Sequence, residues 1–202
     1  MYNVGIFLFN EVELLDFAGP YEVFSVASEL NGYKLFKVFT ITGDGNEIKS
    51  VNGLRVVPDY SFDDHPLVDV LIIPGGVGTK AEMGKDEVLC WVKKNYTSSR
   101  TTMSVCSGAR ILGKLGLLDN KESATHHEVA EHLAQIAPKT RIKTGARFVD
   151  NGKILTSGGI SAGIDLSLHL VQKLYGKSVA DESAVYMEYG DWEALMDKKD
   201  RR

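Results

Sequence analysis

Short, uninterrupted apolar runs alternate with amphipathic stretches from one end of this chain to the other, and few folds accommodate that alternation. Val4 to Phe9 is apolar throughout, and Val68 to Ile73 (VDVLII) is nearly so. Such runs suit strands covered on both faces, as in parallel sheets. Further strands are predicted at Lys34 to Thr42, Leu54 to Val57 and Thr101 to Val105. A hairpin is predicted over Arg147 to Thr156, turning at Asp150-Asn151-Gly152. Between them lie helical patterns. One opens at Ala18-Gly19-Pro20, with Pro20 in its first turn, Phe17, Tyr21, Phe24 and Ser28 on one face, and Gly32 as its stop. Lys80 to Tyr96 reads as one helix with Val88, Trp91 and Val92 inward, and another starts at Ser107. Ser161 to Tyr175 carries Ile164, Leu168, Val171 and Tyr175 on one stripe, and Val179 to Tyr189 follows. Strand–helix alternation of this kind specifies an α/β three-layer sandwich with a mainly parallel sheet. Residues 1–190 are expected to form one domain and residues 191–202 a polar tail. Loops after parallel strands share one edge of the sheet, where ligands bind in such folds.

Composition narrows the function. Asp and Glu outnumber Lys and Arg by 27 to 23, a net charge of −4. No basic field invites nucleic acid; the terminal Lys198-Lys199-Asp200-Arg201-Arg202 reads as a solvated end. No apolar run approaches the ~20 residues that span a bilayer, and no signal peptide is visible. A cytoplasmic location without membrane partners is therefore expected, with both cysteines, Cys90 and Cys106, reduced. No His, Cys or acidic set has metal spacing, and neither a metal nor another cofactor is expected.

The chemistry concentrates in Thr102-Met103-Ser104-Val105-Cys106-Ser107-Gly108-Ala109. A strand runs into Cys106 and small residues follow where a helix begins, the sequence form of a nucleophile elbow. A helix N-terminus beneath the sulfur is expected to favour the thiolate and lower its pKa. Gly75 and Gly76, at the end of another strand, would bring backbone N–H groups close and, with the Ser107 N–H, form an oxyanion hole. Simple burial would also account for Cys106, since free cysteines pack as small hydrophobes. Cys90, beside Trp91 in a helical stripe, is read as a packing residue. Asp16 stands among Leu14, Leu15 and Phe17 just before a helix. It is either a helix cap or a partly buried acid of raised pKa that moves a proton at the thiol. His126 and His127 follow a short β-like stretch and are candidates to assist the thiol, or else polar surface groups. His65, His132 and His169 show no pairing in the sequence.

With these residues in view, the chain resembles the ThiJ/PfpI superfamily, which includes the Parkinsonism-associated deglycase. The resemblance runs from Val4 to about Tyr189 and rests on four segments. These are Asp16-Phe17-Ala18-Gly19-Pro20, Pro74-Gly75-Gly76, Val105-Cys106-Ser107-Gly108-Ala109 and Gly159-Ile160-Ser161-Ala162-Gly163-Ile164-Asp165. The first and last are most like the isonitrile hydratase branch and the sensor domains of AraC-type regulators. The resemblance implies a flavodoxin-like, class I glutamine amidotransferase-like fold, a homodimer, and a small-molecule substrate. It makes Cys106 the nucleophile, Asp16 its contacting acid, His126 a group near the thiol, and Asp165 a supporting group beneath the site. Ser107 stands where isonitrile hydratases usually carry Thr, and His127 replaces a bulky aromatic, so the pocket wall differs. The implied activity is cofactor-free conversion of an isonitrile to an N-substituted formamide. The alternatives are a small-molecule or oxidative-stress sensor, and glyoxalase or deglycase chemistry on α-oxoaldehydes.

Overall fold

The computed structural model describes the backbone of residues 1–200 and the side chains of residues 1–196. Six strands build the main sheet: β1 (Tyr2–Phe7), β2 (Phe36–Ile41), β5 (Val70–Ile73), β6 (Thr101–Ser104), β9 (Phe148–Asp150) and β10 (Ile154–Ser157). Their order is β2-β1-β5-β6-β10-β9. The first five run parallel, and only β9, the hairpin partner of β10, is antiparallel at the edge. Short strands β3 (Ile48–Lys49) and β4 (Arg55–Val56) pair with each other and are tied to the loop after β1, while β7 (Glu122–Ser123) and β8 (Arg141–Ile142) pair next to β10. The helices are α1 (Leu14–Glu29), α2 (Thr79–Glu82), α3 (Asp86–Ser98), α4 (Ala109–Lys114), α5 (Ala130–Ile136), α6 (Ala162–Tyr175), α7 (Lys177–Tyr186) and α8 (Trp192–Asp200).

The sheet is buried on both faces, as its apolar runs require. Val4, Ile6, Leu71, Ile72, Ile73 and Met103 are essentially inaccessible, and each such side chain contributes roughly 1.5–3 kcal/mol of burial. Helices α1, α6 and α7 pack on one another, and α4 packs on α2 and α5. Helix α3 lays Trp91 over Phe7 and stacks it on Phe62, with ring centroids 5.5 and 4.2 Å apart.

Several boundaries differ from the sequence expectation, each for a local reason. Helix α1 starts at Leu14, so Pro20 lies inside it rather than in its first turn. Having no N–H, Pro20 leaves the Asp16 carbonyl without its helical donor. Tyr21 points outward, whereas Phe17, Phe24 and Ser28 are buried. The single helix expected over Lys80 to Tyr96 is two, α2 and α3, because the chain breaks at Gly84-Lys85, glycine being a weak helix former. Cys90 is exposed on α3 and does not join the Trp91 stripe. On α6 the deepest residues are Leu166, Leu170 and Val171; of the expected stripe Val171 is fully buried, while Ile164, Leu168 and Tyr175 are partly buried against the core. The expected polar tail holds α8, with Trp192 at its start. Of the terminal basic run, Arg201 and Arg202 lie outside the described residues, as do the side chains from residue 197 onward.

The parallel sheet has one consequence for chemistry. The loops after β1, β5, β6 and β10 emerge side by side on one edge. These loops, with the helix starts that follow them, carry in that order Asp16, Gly75 and Gly76, Cys106, and Gly159-Ile160.

Candidate active site

Cys106 sits where β6 turns into a single 3-10 turn, Cys106–Gly108, that leads into α4. Its φ is +56°, the left-handed region that non-glycine residues avoid. The neighbours hold it there. The Val105 N–H donates to Ile73 O at 3.0 Å and the Cys106 N–H to Gly158 O at 3.0 Å. The Cys106 carbonyl accepts from Thr125 Oγ1 at 2.8 Å. Three neighbouring segments thus fix a strained backbone, the arrangement expected where strain serves function. The small residue after the turn is obligatory: a Cβ on Gly108 would stand 2.1 Å from Ile73 O. Cys106 is only 7% exposed.

Asp16 approaches from the first turn of α1 and is fully buried. It does not cap that helix; the position before the helix is Glu13, which forms no side-chain cap. The Gly75 N–H donates to Asp16 Oδ2 at 2.9 Å. Oδ1 is buried without a hydrogen bond of full geometry, and the Cys106 thiol and the Ile160 N–H face the carboxyl group. Burial drives the Asp16 pKa from 3.8 up to about 7, against the pull of the Gly75 N–H and the Cys106 thiol. Burial also pushes the Cys106 thiol up to about 12, with the Asp16 charge adding to it. The Ser107 and Ile160 N–H groups oppose this rise without cancelling it. The expectation of a lowered thiol pKa is therefore corrected. The turn behind Cys106 is too short for a strong dipole, and the site is buried and already holds an acid. What the geometry offers is a pair that shares a proton: an ionised Asp16 accepts it from the thiol, and a neutral Asp16 returns it.

The glycine donors are placed differently from expectation as well. Besides the Gly75 N–H spent on Asp16, the Gly76 N–H donates to Ser107 Oγ at 2.9 Å, and that hydroxyl donates to Gly76 O at 3.0 Å. Both glycines brace the site, and neither N–H is free for an oxyanion. A Cβ on Gly75 would lie 2.6 Å from Ser107 N and 2.7 Å from Asp16 Oδ2, so only glycine permits the close approach. The N–H groups directed at the sulfur are those of Ser107 and Ile160. Ile160 is itself at φ +50°, an uncommon conformation for a β-branched residue.

The chain that builds this site is similar to known proteins along most of its length. Residues 2–173 match the DJ-1/PfpI family. The chain belongs to that family. It is 33% identical over 190 residues to the isonitrile hydratase of Pseudomonas putida, covering 93% of this chain and 78% of that one. It is 27% identical over 200 residues to the HTH-type transcriptional regulator GbdR of Pseudomonas aeruginosa, covering 99% of this chain but 53% of the regulator. It thus spans about half of that regulator's length. Among solved structures, a THiJ/PfpI family protein from Pseudomonas syringae superposes with a TM-score of 0.84 at 27% identity, over 93% of this chain and 75% of that one.

Around this DJ-1/PfpI elbow the other sequence-predicted residues divide. His126 lies against the site: a Cβ on Gly159 would meet its ring at 2.2 Å, so the imidazole rests on the Gly159 backbone that leads to Ile160. Its Nδ1 accepts from the Glu128 N–H at 3.3 Å. His127 faces solvent, its side chain 78% exposed and 3.9 Å from the Glu128 carboxylate. The segment Ser161 to Asp165 is beneath the site only in part. Gly163 packs on Val105, where a Cβ would come within 2.9 Å of a methyl. Asp165 turns away, accepting from Arg147 Nε at 2.6 Å and from the Tyr189 hydroxyl at 2.9 Å. It braces β9 and the chain after α7 rather than the thiol. The remaining histidines have partners that the sequence does not reveal: His65 with Trp91, His132 with Arg110, and His169 with Asp150. Among the described residues no group of three or more His, Cys, Asp or Glu side chains could hold a metal ion. No helix among them is long and apolar enough to cross a membrane.

Three contributors escaped the sequence reading: Thr125, Thr79 and Arg110. Thr79 Oγ1 donates to Gly76 O at 2.8 Å and lies 3.3 Å from Ser107 Oγ. Arg110 carried a usable signal, a lone charge in the apolar start of the helix after Cys106. The threonines carried no signal, because their roles depend on contacts between distant segments. Two clefts lie away from the thiol. One of 220 Å³ is lined by Phe9, Asp44, Phe62, Glu82 and Lys85; the other, of 330 Å³, by Phe148, His169, Gln172 and Tyr189.

Proposed function

We propose that this protein is a cofactor-free, cysteine-dependent hydratase that converts an isonitrile to an N-substituted formamide. The observation that carries the reading is the contact between a strained, buried Cys106 and a fully buried Asp16 whose pKa stands near neutrality. The chemistry needs both. An isonitrile carbon accepts a nucleophile and a proton in the same step, and a thiol with a neighbouring acid delivers the two together. The ionised Asp16 takes the proton from Cys106; the sulfur bonds to the terminal carbon; Asp16 gives that carbon the proton. The product is a thioimidate, Cys–S–CH=N–R. Water then adds across the C=N bond, its oxygen going to carbon and one proton to nitrogen. Collapse of the adduct breaks the C–S bond, forms the formamide carbonyl and returns a proton to the Cys106–Asp16 pair. The N–H groups of Ser107 and Ile160 steady the charge at sulfur as it forms and leaves.

Similarity to the Pseudomonas putida isonitrile hydratase supports the same reading. In this proposal the protein works as a homodimer in the cytoplasm, on a small molecule and without nucleic acid. The departure at Ser107 sets its substrate apart from that of the relative. The decisive experiment is turnover of cyclohexyl isocyanide by wild type and Cys106→Ala, with methylglyoxal in parallel. Formamide from the wild type alone is the expected result. Full activity in the alanine variant would exclude the covalent route, and lactate from methylglyoxal would move the assignment to aldehyde chemistry.

The match to GbdR over nearly the whole chain favours a second reading, a ligand-sensing domain. No product from either compound, together with a ligand-induced rise in melting temperature, is the outcome that would establish it.

A further inference from the structure

Arg110 is 7% exposed, and among the described residues it forms no ion pair with any carboxylate. Its Nε donates to His132 Nδ1 at 3.0 Å and its Nη1 to Thr79 Oγ1 at 3.1 Å, both neutral acceptors. The nearby acid of α2, Glu82, is turned to Lys85 at 2.8 Å. A guanidinium taken out of water without an anion is costly, and proteins keep one there when an anion belongs beside it. Arg110 stands four residues after Cys106, on the helix that the elbow starts, and its charge and that of Cys106 favour each other. Its hydrogen bonds also form a chain into the site. Thr79 touches both Gly76 O and Ser107 Oγ, and Ser107 Oγ holds the Gly76 N–H.

From this geometry we infer that Arg110 is a positioning residue of the reactive thiol. It is the cation that offsets the single negative charge shared by Asp16 and Cys106, and, through Thr79, it fixes Ser107 behind the sulfur. The assignment rests on the reading of Cys106 as the reacting group, though not on isonitriles as the substrate. It accounts for a site in which burial alone would leave the charged pair inaccessible. The charged and titratable groups around the pair are Asp16 and Glu13 on the α1 side, Arg110 on α4, His132 on α5 and His126 beside Gly159. Of these only Arg110 is a permanent cation.

The test is the pH profile of Cys106 alkylation by iodoacetamide, followed by peptide mass spectrometry so that exposed Cys90 is counted separately. Arg110→Met keeps the bulk and removes the charge. It is expected to slow Cys106 alkylation about tenfold at fixed pH, the equivalent of about one unit of thiol pKa. Arg110→Lys keeps the charge and loses the fork. It is expected to hold the alkylation profile near the wild type while lowering kcat with little change in KM. A folded Arg110→Met protein with the wild-type profile would reduce Arg110 to a packing residue and overturn the inference. If Arg110→Met fails to fold, the Arg110 Nε–H resonance of the wild type decides. It should shift with pH at the midpoint of the alkylation profile and stay flat in a Cys106→Ala/Asp16→Asn double variant. A resonance that does not follow the thiol overturns the inference too. Absence of isonitrile turnover in the wild type leaves this readout intact, so failure of the substrate assignment and failure of the Arg110 assignment are distinguishable.

Discussion

Two aspartates in this fold have met opposite fates. Asp16 is wholly buried, keeps one oxygen without a hydrogen bond of full geometry, and has its pKa raised to about 7. Asp150, on the far edge strand, is also drawn partly out of water. There, contacts with His169 at 2.8 Å, Lys173 at 2.9 Å and the Gly152 N–H outweigh burial and hold its pKa below the usual carboxylate range. The first acid is under-compensated and the second more than compensated. An acid surrounded by cations and donors keeps its charge and ties elements together; one denied them can gain and lose a proton near neutral pH. The same contrast separates Arg110, buried without a carboxylate, from Arg147, which pairs with Asp165. Around Cys106 charge is left without a direct ion pair, whereas around Asp150 and Asp165 it is paired directly.

The contrast is broken most severely at the sulfur. Cys106→Ala should lower turnover by at least about a thousandfold, because the covalent step has no other nucleophile; product formation in a stopped assay measures it. Next comes Asp16→Asn, which keeps the shape and removes the movable proton. Its kcat should fall by about 10²–10³, the range for loss of a positioned acid–base. The same variant carries a stability signature of definite sign. With a folded pKa above the unfolded 3.8, Asp16 is at its most favourable below pH 4, and that contribution is lost as pH rises through about 7. At 1.36 kcal/mol per unit the loss approaches about 4 kcal/mol. Urea unfolding should therefore find Asp16→Asn more stable than the wild type at pH 8, and the gap should close by pH 4. A gap independent of pH would show that burial does not control this acid.

Asp150→Asn tests the opposite pole. The lowered pKa means that its contribution is present above the unfolded pKa and lost on acidification, so the wild-type advantage should be greatest near neutrality. A loss of about 1 kcal/mol, reduced by salt, is expected for a partly exposed ion pair, with Cys106 alkylation and turnover unchanged. A change in thiol reactivity would mean that the two regions are coupled.

Much of this was legible in the sequence, and what was not has a common physical cause. The apolar runs encode strand burial directly, so the parallel sheet, and with it the meeting of Asp16, Gly75 and Cys106 on one edge, could be read from the sequence. The direction of the thiol pKa could not. It depends on how much water the folded loops exclude and on the separation of two side chains ninety residues apart. The donor assignment failed for a related reason. Gly75 and Gly76 mark a close approach correctly, but a sequence does not say whether the approaching partner is substrate or the protein's own Asp16 and Ser107. Asp165 was misplaced because successive helix positions face different sides: Gly163 touches the elbow and Asp165, two residues on, faces Arg147.

His126 and His127 bring the comparison down to adjacent residues. In the sequence they are indistinguishable candidates; in the fold the 3-10 turn His127–Val129 sends one ring onto the Gly159 backbone and the other into solvent. Since Gly159 leads into Ile160, whose N–H points at Cys106 and Asp16, removing the His126 ring frees a backbone that helps to hold the thiol. His126→Ala should therefore lower kcat modestly, by about three- to tenfold for a loss of about 0.7–1.4 kcal/mol in positioning. His127→Ala should leave kcat within experimental error. Steady-state kinetics on the two variants side by side checks both. Equal losses would mean that the exposed ring reaches the substrate, which would make His127 part of the pocket wall and weaken the division between a satisfied surface and an unbalanced site.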